Sequence, residues 1–195
     1  SPPAPDVARL DRLAARVLAL TRVDAGIVHA TALADGERTP RAVVAYPDLT
    51  GPLAPGDRVL LNTTATALRL GTGGVDFVVA VEPSPPSPPP DPDVHLVKLR
   101  YTPHQHAVVP AEFSPGMEPL PDLDGLPVVV CGLHSQIAPA AAAARAARPD
   151  ARVAYVHTDA GALAVAFSDL VRRLRDAGLI DVTLSSGQAF GADLE

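Results

Sequence analysis

The chain is poor in the residues that usually betray chemistry: among its 195 residues it has one cysteine, Cys131, and one lysine, Lys98. A lone thiol excludes an internal disulfide and any metal centre built from several cysteines. Core packing is its simplest role, because free cysteine is among the most buried residue types, and it fits a reducing, cytoplasmic setting. No run approaches the ~18 apolar residues of a membrane span, and no basic segment leads into an apolar stretch as in a signal peptide. Net charge is −6 and no basic stripe is visible. The densest cations, Arg172, Arg173 and Arg175, fall on an expected helix as a solvated face. Nucleic acid is therefore disfavoured as a partner, since neutralising a phosphate backbone takes clustered cations. Arginine supplies fifteen of the sixteen basic residues. That lopsidedness, with abundant Ala, Pro, Gly and Val, indicates a coding bias against lysine. Under such a bias Lys98 marks a place where a compact charge or a shiftable pKa is wanted, with chance survival as the plain alternative.

What is present is a globular composition, 47% hydrophobic and 19% charged, in a chain long enough for one good core or two small domains. A helix over Asp11 to Leu20 competes with a first strand over residues 16–21, and the strand is the better reading. Residues 27–33 read as a strand, Asp35-Gly36 as a hairpin signal, and residues 41–46 as the pairing strand. Pro55-Gly56-Asp57 feeding Arg58 to Asn62 is a turn-to-strand step common at the corners of small barrels. Residues 77–81 close the region as a fifth strand, so residues 16–82 are expected to form a small antiparallel barrel. Gly71-Thr72-Gly73-Gly74 is not a phosphate loop, because no Lys-Ser/Thr follows and a strand rather than a helix comes next. Residues 83–93 are a Pro-rich linker, extended as polyproline II.

Residues 94–195 read as an α/β domain. Residues 94–101 alternate as a half-buried strand, with a short second strand near Ala107 to Val109. Three strand-then-polar-loop units follow, at residues 126–132, 151–156 and 180–184, separated by helical sequence over Ile137 to Ala147 and Gly161 to Ala177. Ser135 is the expected cap of the first helix; Thr158 or Asp159 caps the second, and Gly178 stands where a helix-ending glycine belongs. This pattern is that of parallel strands joined by crossover helices, a three-layer α/β unit. Three parallel strands make a meagre sheet, so continuation past Glu195, a second copy or a completing partner segment is expected.

In such a sheet the loops leaving the carboxyl ends of the strands line one crevice. That places His134, Ser135 and Gln136 at the first corner, His157, Thr158 and Asp159 at the second, and Ser185, Ser186 and Gln188 at the third. His134 or His157 is the candidate acid–base group, with Asp159 able to set a tautomer. The polar hydroxyls and amides are candidate ligand contacts, and Lys98 and Arg100 candidate charge partners for an anion. Each has a plainer reading as a cap or loop residue. The Gly-x-Ser-x-Gly spacing of a nucleophile elbow is absent around Ser186. His104-x-His106, with His95 nearby, lacks identifiable third and fourth metal ligands, so no metal is assigned. No cofactor is identifiable.

The stretches from Gly56 to Thr64, Leu70 to Gly74 and Lys98 to Pro103, then Leu133 to Gln136, Thr158 to Leu163 and Gly187 to Glu195, resemble a bacterial family common in actinobacteria, domain of unknown function 3866. The resemblance spans about residue 16 to the end. It implies no activity, and it adds Asn62 and Thr63 to the residues of interest. The expected function is an enzyme acting on a small anionic metabolite by group transfer or hydrolysis. A non-catalytic binding or assembly module is the alternative. Redox chemistry is less favoured because the dinucleotide glycine pattern is missing after the first parallel strand.

Overall fold

A computed structural model describes residues 10–69, 74–83, 96–100, 102–113, 122–159 and 164–195. Contacts divide the chain into two compact units, Ser1–Pro88 and Pro89–Glu195.

The first unit is a closed five-stranded barrel of order β1-β2-β3-β5-β4. Its elements are β1 (Arg12–Asp24), β2 (Ile27–Ala34), β3 (Arg41–Ala45), the short helix α1 (Pro47–Thr50), β4 (Arg58–Asn62), the short helix α2 (Thr64–Ala67) and β5 (Asp76–Glu82). All neighbours are antiparallel except β3 and β5, a Greek-key winding. Closure depends on β1, which pairs with β4 through residues 12–16 and with β2 through residues 15–24. Register shifts after Val17 and Leu20 bend it, as bulges do at barrel corners. The strand reading of this segment holds, and the strand starts earlier than expected, at Arg12. Inward positions are small or branched: Ala15, Val17, Ala30, Ala32, Val43, Val59 and Leu61 are all buried. Alternation with period 2 puts these side chains inside and their neighbours outside. The two turn signals operate as expected, with Gly36 and Gly56 at positive φ (81° and 95°). Asp57 accepts a hydrogen bond from the Ala54 amide at 2.8 Å, tightening the second turn. The loop glycines 71 and 73 and the Pro-rich stretch 84–92 lie outside the described residues.

The second unit begins with a hairpin of β6 (Leu96–Lys98) and β7 (His106–Val108). Then come helix α3 (Ile137–Ala147), strand β8 (Ala154–His157), helix α4 (Asp169–Asp176) and strand β9 (Val182–Ser185). β8 and β9 pair in parallel, and residues near Leu194 run parallel beside β9. The class is thus mixed α and β, with a barrel and small sheets. A core of Ile137, Ala141, Val165, Val171, Leu174 and Ile180 packs the two helices over the sheet, with Cys131, Val153 and Tyr155 against it. Among the described residues no helix is long and apolar enough to cross a membrane.

Three expectations are corrected. Residues 126–131 belong to no ladder, although they are nearly all apolar; Val128, Val129 and Val130 are exposed, Val130 by 90%. An unbroken apolar run forms a strand when both of its faces are covered, and here they are not. The second helix starts at Asp169, not Gly161, because Ala164 and Ser168 are extended and Ser168 is the cap, its hydroxyl accepting from the Val171 amide. Thr158 and Asp159 therefore do not cap it. Ser135 does not cap α3 either: residues 134–136 form a 3-10 turn, and the Gln136 side chain accepts from the Leu133 amide at 3.0 Å. The stop of α4 does follow the sequence. Gly178 (φ 67°) and Leu179 donate back to Arg175 and Leu174, each at 2.8 Å, the Schellman arrangement.

Candidate active site

Pleating puts residues i and i+2 of a strand on one face, and parallel register partners share it. On β8 and β9 that rule groups Tyr155 and His157 with their partners Thr183 and Ser185. His157, Thr183 and Ser185 are buried and Tyr155 is half-buried, so this face is polar and largely withdrawn from water. Buried polar groups need partners, and each of these has one or more.

The first set of partners forms a chain. The Ser168 hydroxyl lies 2.7 Å from His134 Nε2, His134 Nδ1 lies 3.1 Å from the Tyr155 hydroxyl, and that hydroxyl lies 2.7 Å from His157 Nδ1. The Ser168 end sets one direction for the protons along the chain. Ser168 Oγ already accepts from the Val171 amide at 3.1 Å, and His134 Nε2 is its acceptor among the described residues. When the Ser168 proton points at Nε2, that nitrogen carries the lone pair. His134 then bears its proton on Nδ1 and donates it to the Tyr155 oxygen. Tyr155 in turn donates to His157 Nδ1. Burial holds the His134 pKa below its ordinary value, and the neighbouring His157 acts the same way. His134 is thus neutral near pH 7, with the basic nitrogen facing a hydroxyl. Burial also raises the Tyr155 pKa, helped by the nearby Cys131, which keeps that hydroxyl protonated.

The second set centres on Lys98, which is 1% exposed. Its ammonium donates to the Ser185 carbonyl at 3.1 Å, to Ser185 Oγ at 3.2 Å, to the Ala189 carbonyl and to the Glu195 carboxylate. Ser185 Oγ donates to Glu195 at 2.5 Å, and the other carboxylate oxygen accepts from the Gly191 amide at 2.9 Å. An ammonium has three protons, so these acceptors consume all of them. Lys98 thereby anchors the loop after β9 to the β6–β7 hairpin. Nearby, Asp193 takes bonds from the Thr183 amide and hydroxyl, each at 2.9 Å, and pairs with Arg175 at 2.7 Å. These bonds hold its carboxyl below the usual range even though burial opposes them.

The loops after β8 and β9 meet. The Ser186 amide donates to the His157 carbonyl at 2.8 Å, and the Gln188 amide donates to the Asp159 carboxylate. Gly187 has φ 66°, and a Cβ there would lie 2.4 Å from the Asp159 carboxylate, so this corner requires glycine twice over. The Gln188 side chain accepts from the Arg100 amide at 3.0 Å, drawing the β6 end to the same corner. Of the residues chosen from sequence, His134 and His157 are therefore linked through Tyr155. Asp159, Ser186 and Gln188 gather with the backbone of Arg100, while Lys98 joins Ser185. Ser135 and Thr158 are exposed at their respective corners. Asn62 and Thr63 lie in the barrel unit, where Asn62 accepts from the Thr64 amide at 3.1 Å and Thr63 donates to Asp11 at 2.7 Å.

Tyr155 and Ser168 are the residues that reading the sequence missed. Tyr155 stands two before His157, a same-face spacing that was visible, while Ser168 was hidden inside an overlong helix. His106 Nδ1 meets the His104 carbonyl at 3.0 Å, and its ring packs edge-on against Phe190. Among the described residues no group of three or more His, Cys, Asp or Glu could hold an ion. His95 lies outside them.

Residues 41–195, well over half of the chain, match the model of a family described as Protein of unknown function (DUF3866). The match begins at β3 rather than near residue 16. No curated protein and no solved structure matches the chain.

Proposed function

For this chain, which belongs to the DUF3866 family, we propose a cytoplasmic enzyme that binds a small anionic metabolite at the carboxyl ends of β8 and β9 and carries out group transfer or hydrolysis. The observation that supports this reading most is the chain Ser168, His134, Tyr155, His157. A neutral imidazole whose free nitrogen faces a hydroxyl is poised for general acid–base work near pH 7. His134 is the acid–base residue, with Tyr155 and His157 fixing its tautomer. Asp159, Thr158, Ser186 and Gln188 are the polar contacts, and Ser135 and Gln136 complete the rim. Arg100, whose side chain is exposed beside Gln188, attracts the anion. Lys98 serves indirectly, by holding the loop that carries Ser185 to Ala189.

The test is a thermal-shift screen of phosphorylated and carboxylated metabolites against the protein and its His134→Ala and Arg100→Ala variants. A ligand at 100 times its Kd raises stability by about 2.7 kcal/mol. The expected result is a stabilising anion whose effect is lost in Arg100→Ala, with the free Arg100→Ala protein melting near the parent. If the free His134→Ala protein unfolds instead and no anion stabilises the parent, the site is structural.

A second reading is favoured by a different observation: Leu126, Val128, Val129, Val130 and Leu133 are exposed together, and among the described residues β8 pairs on one edge alone. Exposed apolar runs and open strand edges mark assembly sites. In that reading a completing partner segment or a second copy covers residues 126–131, which become a third parallel strand of a three-layer α/β unit. Light scattering separates the two, because assembly requires a mass that rises with concentration.

A further inference from the structure

We infer that Ser168 is a nucleophile and that the group transferred is an acyl group, drawn from a small ester or thioester. This deepens the proposed function and rests on its placing the chemistry at the β8 end. Ser168 was selected by no motif. Ser168 is 5% exposed; its hydroxyl caps α4 and lies 2.7 Å from His134 Nε2. Capping alone requires that the oxygen accept a bond; it does not require an imidazole at the proton. The rest of the arrangement has the logic of an activated serine: nucleophile, base, and a third group that orients the base through its other nitrogen. Here the third group is the Tyr155 hydroxyl, itself oriented by His157. A phenol supplies orientation without the negative charge of a carboxylate. The imidazolium formed in the reaction is therefore stabilised less than in an aspartate triad, and slow turnover is expected.

The step balances as follows. Ser168 Oγ forms a bond to the acyl carbon while its proton passes to His134 Nε2. The carbon–oxygen or carbon–sulfur bond to the leaving group breaks, and the departing alcohol or thiol takes that proton. Water then attacks the acyl-serine, giving a proton to His134, and Ser168 Oγ leaves and recovers it. Ser168, Ser185 and Ser186 all lie in this unit, but the Ser185 hydroxyl donates its proton to Glu195 at 2.5 Å rather than to an imidazole.

The test uses the intact protein with phenylmethylsulfonyl fluoride, a probe small enough for a nearly buried hydroxyl. Its sulfur–fluorine bond is replaced by a sulfur–oxygen bond to an activated serine, with fluoride leaving. The adduct is mapped by peptide mass. The expected result is one adduct on Ser168, formed roughly 100-fold more slowly in His134→Gln. Ser168→Gly should not label and should melt within a few degrees of the parent, since glycine is a tolerable helix cap. No adduct on Ser168, an adduct on another serine, or a rate unchanged in His134→Gln would each overturn the inference. An anion that stabilises an unlabelled protein removes the nucleophile and leaves the proposed function standing. Labelling of Ser168 without any stabilising anion does the reverse.

Discussion

The two units differ in how much polar chemistry they bury beside their apolar cores. The barrel buries mainly Ala, Val, Leu and Ile, and its buried polar residues Thr50, Thr63 and Asp76 have partners close by. The second unit buries an ammonium, an imidazole and three hydroxyls, while a run of valines faces outward. An apolar core needs volume and shape. A polar one needs each partner in place, because a lone buried polar group is expensive. The second unit is therefore the more sensitive to changes of a few atoms, and the place where chemistry can sit.

That contrast can be broken by substitution. Lys98→Met should have the largest effect, because it leaves the Glu195 carboxylate without its cation, a loss of roughly 3 kcal/mol for a largely buried pair. Urea unfolding should show it in the second unit's transition, with the barrel's unmoved. A barrel transition that moves equally would mean that the units are not independent. Leu61→Ala, fully inside the barrel, should cost about 2–3 kcal/mol through the cavity it leaves, this time in the barrel's transition. Gly187→Ala should cost roughly 1–2 kcal/mol from the positive φ, plus displacement of the Asp159 carboxylate. Adding Asp159→Ala should recover the second part and not the first. Val130→Ser, at an exposed position, should change stability by no more than about 0.5 kcal/mol. A larger loss would show that residues 126–131 are covered in solution.

Acid should act on the second unit in the same sense. The folded-state pKa of His134 lies below the ordinary 6.5, so the unfolded chain takes up that proton first as pH falls. Stability from the neutral ring is complete above that ordinary value and is lost as pH drops from it toward the folded-state pKa. His134→Gln should flatten this part of the stability–pH curve.

The legible parts were the local ones. Asp35-Gly36, Pro55-Gly56-Asp57 and Gly178 each determine a turn or a helix stop within a few residues, and each does so here. Helix α3 was readable to the residue because its alanines leave little competition. The start of α4 was misread because Leu163, Phe167, Leu170 and Leu174 keep a helical spacing, although backbone geometry begins the helix at Asp169. The burial of Lys98 depends on acceptors 87 to 97 positions away, which no window of sequence contains. Its rarity flagged it as special without telling which special role it has. The strands leading to residues 157 and 185 were legible, the one expected before His134 does not form, and the Tyr155 and Ser168 links arise from packing between strand, turn and helix cap.

The most direct measurement is the protonation pattern of the two histidines, read from long-range proton–nitrogen correlation spectra of the imidazole rings at pH 7. The expected pattern is a neutral His134 with its proton on Nδ1 and a bare Nε2, and a His157 with a bare Nδ1. Tyr155→Phe should erase that preference in both rings. A His134 protonated on Nε2, or a ring charged on both nitrogens at that pH, would contradict the directed chain from Ser168 and remove the base on which the proposed chemistry depends.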